Sequence, residues 1–366
     1  MNRRHMLIGA GGLLALGGAA GWMAMRQRQA AASYREAMQA LRADLPLQPR
    51  DHDLIRHATL AANGHNTQPW LFSVAPGEII IQPDFSRRTP VVDPDDHHLY
   101  ASLGCAAENL ALAAAARGRG GELVFDDHGD GRIVFAHQPT EPQESPLFAA
   151  IPHRQSTRAV YDGRPVSAAD LQSLADAAAI PGIDMVLITE RPQLDRVRDL
   201  VIAGNSAQMA DPEFIRELKA WLRFNPGQAL RTGDGLYSVA SGNPALPDWL
   251  GPRAFDLVFT ARAENDKYAA QLRSSAGVAV FVGQQDDREH WMRAGRACQR
   301  FALQATALGL KCAFVNQPVE VTSLRPELAA LVGLPGRRPN IVMRFGYGPA
   351  LPYAPRRPVE AVIRAT

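Results

Sequence analysis

Four prolines, Pro139, Pro142, Pro146 and Pro152, crowd one short stretch of this 366-residue chain. Proline lacks the N–H that a helix interior or a central strand must donate, so no long regular element runs through them. The chain is also too long for one ordinary core. Together these features predict two halves, residues 46–150 and 151–366, each with its own helices and strands. A hydrophobic share of 46% against 21% charged gives each half enough apolar side chain for a core.

In the first half, Leu54, Ala58 and Ala61 recur at helical spacing from Asp51, and Asn63-Gly64 stops that helix. Residues 70–74 and 78–82 read as strands turning at Pro76-Gly77. Residues 101–117 read as an apolar helix closed by Gly118. Residues 122–125 and 132–135 form a hairpin around Asp130-Gly131. The second half repeats the theme at greater length. It has helices at 168–179 and 290–308, a mostly helical stretch at 191–224, and strands at 184–188, 277–283, 311–315 and 340–345. Residues 225–251 are rich in Gly and Pro and weakly periodic, so they are either disordered or a lid over a site. The strands suit antiparallel pairing, and no β-α-β alternation or Gly-rich dinucleotide fingerprint is present, which gives the class α+β.

The N-terminus reads as an address. Arg3-Arg4 precedes an apolar stretch from Met6 to Met25, and Ala30-Ala31-Ala32 offers a small-residue cleavage site. Residues 1–32 are therefore a signal peptide of twin-arginine character or a retained membrane anchor. A helix of about 20 residues would span the hydrocarbon of a bilayer. Either fate places the protein in the periplasm or cell envelope, exported or anchored, with membrane contact only through this segment. Residues 33–45 follow as a charged helix or linker. The leader carries four arginines and no acid, so without it the formal charge drops from +2 to −2. No basic run remains to hold nucleic acid. Cys105, Cys298 and Cys312 each lie among apolar residues and read as buried free thiols. Asp93-Pro94-Asp95-Asp96-His97-His98 lacks the ligand spacing of a metal site and reads as a solvated loop at a helix start.

Two polar motifs concentrate the chemistry. Asn63-Gly64-His65-Asn66-Thr67-Gln68-Pro69-Trp70 sets amides, a hydroxyl and backbone N–H groups at a helix–strand junction, where Gly64 permits close approach of a ligand. By composition alone it better fits a polar helix cap leading into a strand with Trp70 in the core. Arg154-Gln155-Ser156-Thr157-Arg158 alternates two guanidinium groups and a hydroxyl on one side of an extended segment, which suits a phosphate and its sugar chain. A solvated basic loop is the other reading.

The first motif resembles the middle flavin-binding loop of FMN-dependent nitroreductases, and the wider run from Arg56 to Trp70 resembles the twin-repeat, Acg-type branch of that family. The second resembles the segment that opens the nitroreductase fold. In the family both motifs lie in one domain, arginine–serine first; here their order is reversed, one in each half. The resemblance implies a nitroreductase-like α+β fold whose two halves form an intramolecular pseudo-dimer, a monomer with one FMN site between them. It implies that Asn63, Gly64, Asn66 and Gln68 hold the ring and sugar chain, and that Arg154, Ser156, Arg158 and the C-terminal Arg356 or Arg357 hold the phosphate. Asn316 and Gln317 would face the flavin from the turn after strand 311–315. The flavin itself would carry hydride from NAD(P)H or another reductant to a nitroaromatic, quinone or similar acceptor, with no protein acid or base and no metal. A flavin-binding or flavin-sequestering protein with little turnover is the alternative.

Overall fold

The computed structural model describes residues 25–364. Of the predicted leader, residues 1–24 lie outside the described residues. Residues 25–41 are one helix, α1, which contains Ala30-Ala31-Ala32 and continues through the stretch expected as a charged helix or linker. It is packed rather than free. Tyr34 and Met38 are buried with Ala229, Tyr237 and Ala240, and the Tyr34 hydroxyl donates to the Tyr353 carbonyl at 2.7 Å.

The first half then builds α2 (Asp51–Ala58), β1 (Trp70–Ala75), β2 (Glu78–Pro83), α3 (His97–Ala115), β3 (Gly121–Asp126) and β4 (Arg132–His137). Its strands form an antiparallel sheet in the order β1-β2-β4-β3. The proline cluster is not a bare linker. It contains the short helix α4 (Pro146–Ala150), whose first turn is capped by the Ser145 hydroxyl.

The second half contributes α5 (Ala168–Ala177), β5 (Ile183–Ile188), α6 (Arg191–Met209), α7 (Pro212–Ala220), β6 (Leu222–Arg223), α8 (Pro226–Thr232), β7 (Leu236–Tyr237), α9 (Gly251–Val258), α10 (Ala261–Arg273) and β8 (Gly277–Gly283). There follow α11 (Arg288–Ala307), β9 (Lys311–Phe314), α12 (Gln317–Glu320), α13 (Arg325–Leu331) and β10 (Pro339–Gly346). Its sheet is again antiparallel and four-stranded, in the order β5-β8-β10-β9. The two sheets draw on separate stretches of sequence. The ends of the chain do not respect that division. The C-terminal tail crosses over and pairs with β1, where the Phe72 amide donates to the Val362 carbonyl at 2.7 Å and the Arg364 amide to the Phe72 carbonyl at 2.8 Å.

Residues 225–251 are not disordered, which corrects one of the two expectations for that stretch. They hold α8, β7 and a 3-10 turn at Ser238–Ser241, and their weak periodicity reflects elements too short to show one. Asp234 pins them in place by accepting from Arg223 of β6 at 2.7 Å and from Arg87 of the first half. The Asp93–His98 stretch also needs correction. It does start a helix, but Asp93, Asp96 and His97 are buried, not solvated, because Asp93 accepts the His98 and Leu99 amides at 3.0 Å each and caps α3 from inside.

The halves meet where α3 crosses α11. Gly104 faces the Met292 backbone and Gly295 faces the Ala101 backbone so closely that a Cβ on either would overlap a carbonyl oxygen. At this contact the buried Glu108 carboxylate accepts from Arg296 at 2.8 Å and Arg300 at 2.7 Å. Gln299 donates to the Asn109 side chain at 2.7 Å while its own carbonyl accepts the Ala62 amide at 3.1 Å. Replacing Gly104 with Ala should therefore destabilise the fold by about 1–3 kcal/mol, the usual range for forcing a methyl into a packed contact. Equilibrium denaturation in urea checks this, and an unchanged midpoint would contradict the close crossing.

Candidate functional site

The Asn63–Trp70 loop bends back on itself between α2 and β1. His65, Asn66 and Gln68 all take left-handed backbone angles, with φ of 46°, 54° and 54°. Such angles cost energy in non-glycine residues and persist only where surrounding bonds over-determine them. Here they do. The Asn63 side-chain oxygen accepts the Gln68 amide at 2.9 Å, and the Gly64 carbonyl accepts the Thr67 amide at 2.9 Å. Asn66 and Gly235 exchange two bonds, Asn66 Nδ2 to the Gly235 carbonyl at 3.0 Å and the Gly235 amide to the Asn66 carbonyl at 3.1 Å. Gln68 Nε2 donates to the Gly233 carbonyl at 2.8 Å, and its Oε1 accepts the Arg357 amide at 2.9 Å.

Above this loop lie two adjoining cavities that share Ala62, Asn63, Arg158, Leu236 and Ser241. The smaller, about 50 Å³, is an anion pocket. Arg42, Arg154, Arg158 and Arg356 all line it, with Ser156, Asn63 and Asn66, and no carboxylate does. Among the described residues none of these four arginines has an ion-pair partner. Burial pushes every one of their guanidiniums below its ordinary pKa, Arg42 down to about 10. The buried Nε atoms of Arg42 and Arg154 have no hydrogen-bond partner. Buried charge without a counter-charge is costly, so this arrangement calls for a bound anion. The segment that presents Arg154, Ser156 and Arg158 is fixed from behind. The Thr157 amide donates to the Cys312 carbonyl at 2.8 Å, and buried Arg344 donates to the carbonyls of Thr157 at 3.2 Å and Ala159 at 2.8 Å.

The larger cavity, about 360 Å³, falls in the size range of small-molecule sites. Asn63, Gly64, His65, Asn316 and Gln317 line it, as does Arg158. Phe214, Phe224, Leu236, Leu246, Phe255 and Phe259 give it an apolar lining, to which the stretch expected as a lid supplies Leu236 and Leu246, and α9 supplies Phe255. One wall is polar. His98 lies 3.7 Å from Glu320, whose other oxygen accepts Gln208 at 2.6 Å. Burial lowers the His98 pKa and raises that of Glu320, each opposed by the other's charge. His65 is pushed down to about 4, first by burial and then by Arg158 and His98, and is uncharged at neutral pH.

The structure thus brings Asn63, Gly64, Asn66, Arg154, Ser156, Arg158, Asn316, Gln317 and Arg356 to these cavities. It does not bring Gln68 or Arg357, which line neither. Gln68 is fully buried and spent on the lid and the tail, and Arg357 donates to the carbonyls of Gln68 and Ala361 and lies 3.6 Å from Asp84. Asn66 and Arg356 reach the anion pocket but use much of their side chains internally. Arg356 donates to the carbonyls of Thr59, Leu60 and Ala61 and to Asn66 Oδ1, closing the end of α2. Asn316 Oδ1 accepts the Val342 amide at 2.8 Å. The reading that all these amides face a ligand is corrected accordingly, since several hold the loop instead. Sequence reasoning missed Arg42 and Glu320, which lie on distant elements without a local pattern of their own, and set His98 aside as part of a solvated loop.

An α+β protein in two halves, with an anion pocket built by both, is the class that fold and site define. The pattern described as "Nitroreductase family" matches residues 151–347, more than half of the sequence, and the chain belongs to that family. It is 30% identical over 321 residues to the Mycobacterium tuberculosis protein named "Putative NAD(P)H nitroreductase Rv3131", an alignment covering 84% of this chain and 88% of that one. To the protein of the same organism named "Putative NAD(P)H nitroreductase acg" it is 22% identical over 84% of this chain and 93% of the other. A crystal structure of the FMN-dependent nitroreductase NfnB from Mycobacterium smegmatis in complex with NADPH superposes with a TM-score of 0.41 at 14% identity, covering 60% of this chain and 98% of that one.

Gln68 gives a test of the loop's role. Gln68→Ala would strand the Gly233 carbonyl and the Arg357 amide, at about 1–3 kcal/mol for each group left unsatisfied. The thermal midpoint should fall, and protease cleavage within residues 225–251 should speed up as the lid loses its hold. Cleavage at the wild-type rate would count against that coupling.

Proposed function

We propose that the chain is an FMN-dependent oxidoreductase of the nitroreductase type with one flavin site, built between its halves. The observation that carries this reading is the anion pocket. Four arginines without ion-pair partners converge on it, Arg154 and Arg356 buried and Arg42 and Arg158 half-buried, beside Asn63 and Asn66 from the first half's loop. The residues fit a phosphorylated flavin. The partnerless Arg154 Nε, the Ser156 hydroxyl and Arg158 would hold the phosphate and sugar chain, while Asn63, Gly64 and Gln317 border the larger cavity where a ring would lie. Bound there, the isoalloxazine supplies two-electron hydride chemistry between a reductant and an acceptor. The chain's part is to hold the phosphate, to fix the loop in its strained form, and to keep water from the ring with the lid. NAD(P)H is the proposed reductant, and a nitroaromatic or quinone the proposed acceptor. The dibasic, apolar leader supports a place in the cell envelope, exported or anchored.

The test is the visible spectrum and FMN titration of the purified protein. One FMN per chain is expected, and Arg154→Ala should weaken binding roughly 10- to 150-fold, the equivalent of about 1.5–3 kcal/mol for a charged hydrogen bond. Two equal sites per chain, or no loss of affinity in the variant, would overturn the assignment.

The roofed cavity favours a second reading, a flavin-holding protein with little turnover. The lid is tied to the loop through Gly233 and Gly235 and to the first half through Asp234 and Arg87. Stopped-flow mixing with NADPH and NADH separates the two. Rapid bleaching of the flavin absorbance marks the reductase, and its absence with both donors marks the holding protein.

A further inference from the structure

The lid has an outer face as well as an inner one. Among the described residues, nine large hydrophobic side chains are exposed, and five of them lie on α1 (Met25), on α8 that packs against it (Leu230), and on the segment that runs on through α9 (Trp249, Leu257 and Val258). Trp249 is 63% exposed, Leu257 80% and Val258 69%. Isolated exposed apolar residues are ordinary, but a concentration on one region marks a contact surface.

The contacts show how these residues are placed. A Cβ on Gly227 of α8 would lie 3.9 Å from the Ala30 Cβ of α1. Asn225, two residues away, donates to the Leu246 carbonyl at 3.1 Å and to Asp248, and Arg231 pairs with Asp248 at 3.0 Å. Trp249 follows directly and leads into α9, which ends on Leu257 and Val258. The first turns of α1 therefore sit against the base of the lid, and Val258 at its far end also borders the larger cavity.

The sequence before α1 says what covers this face. The tract from Met6 to Met25 is apolar and uncharged, and it runs into α1, followed at once by Arg26 and Arg28. A tract of that length and character seeks the hydrocarbon of a bilayer, and arginines just beyond it suit the headgroup layer. We infer that the lid's outer face, Trp249, Leu257 and Val258, docks on the lipid bilayer, so that the protein meets the membrane through its lid as well as through its N-terminal tract. An amphipathic element lying in the interface buries such side chains at the boundary between headgroups and acyl chains, where tryptophan is favoured. The cavity edge at Val258 then opens at the lipid surface. This inference is independent of the flavin, because the contact it names is with lipid and is measured without cofactor turnover.

The experiment uses the full chain carrying Leu257→Cys, labelled with an environment-sensitive maleimide dye. The three native cysteines are buried and leave the introduced thiol as the reactive one. On addition of vesicles of phosphatidylcholine and phosphatidylglycerol, the emission should shift to the blue and be quenched by nitroxide-labelled lipid acyl chains. A dye on Val124→Cys, an exposed position on β3 of the other sheet, should show neither change. Three results would overturn the inference. The protein floats with the vesicles while the dye at 257 stays in water, which leaves the N-terminal tract as the only contact. The dye is already shielded without vesicles, which means residues 1–24 or a second copy cover the face. Or the full chain does not bind vesicles at all.

Discussion

Everything in this molecule hangs on the crossing of α3 and α11. Two glycines, Gly104 and Gly295, remove the side chains that would hold the helices apart, and each backbone settles against the other. The polar groups at that contact are matched across it. Glu108 takes two arginines, and Gln299 joins Asn109 to the amide of Ala62. A buried carboxylate without those arginines would be strongly destabilising, so the pairing specifies one register of half against half. Ala62 immediately precedes the Asn63–Trp70 loop. The crossing therefore fixes the loop from the first half relative to the arginine segment from the second.

The site that results is electrostatically unbalanced, and its surroundings bear that cost. Arg42, Arg154, Arg158 and Arg356 crowd one small pocket without a carboxylate. Part of the penalty is offset locally, since Arg356 donates to the carbonyls that end α2 and Arg42 lies 3.9 Å over the ring of Tyr353. Arg154 and Arg158 have little such compensation, which fits their place as the groups kept for an anion. The strained loop follows the same logic. Its left-handed residues are held by the lid, the tail and the first half at once, so lid, loop and pocket form one connected unit.

The fold was largely legible in the chain. Antiparallel strand pairs, the two long helices and the break at the prolines all leave local marks, because period, turn residues and proline act over a few positions. The helices α9, α10 and α13 left weaker marks, as they are short or charged, and α10 and α13 gain stability by packing on α6. In the site, Arg154, Ser156 and Arg158 were legible because three side chains alternate on one extended segment. Gln68 and Arg357 misled, because an amide that holds a ligand and one that holds a backbone carbonyl look alike in sequence. Arg42 and the pairing of His98 with Glu320 were not legible, since each depends on elements far apart in the chain.

The sequence by itself determined that a proline-rich break separates two stretches with their own strands and helices, and that each stretch carries one polar motif. Residue type and spacing over a few positions set those properties, while the pairing of the motifs is what the family resemblance implies. Only the tertiary structure decided which side chains line the two cavities and which hold the frame. It also placed α1 and the tail against the site, and left Trp249, Leu257 and Val258 exposed. Those outcomes depend on hydrogen bonds between residues far apart in the chain, such as Tyr34 with Tyr353, 319 positions apart, and Asn66 with Arg356, 290 apart. No local pattern encodes such a pairing; packing of the two halves creates it.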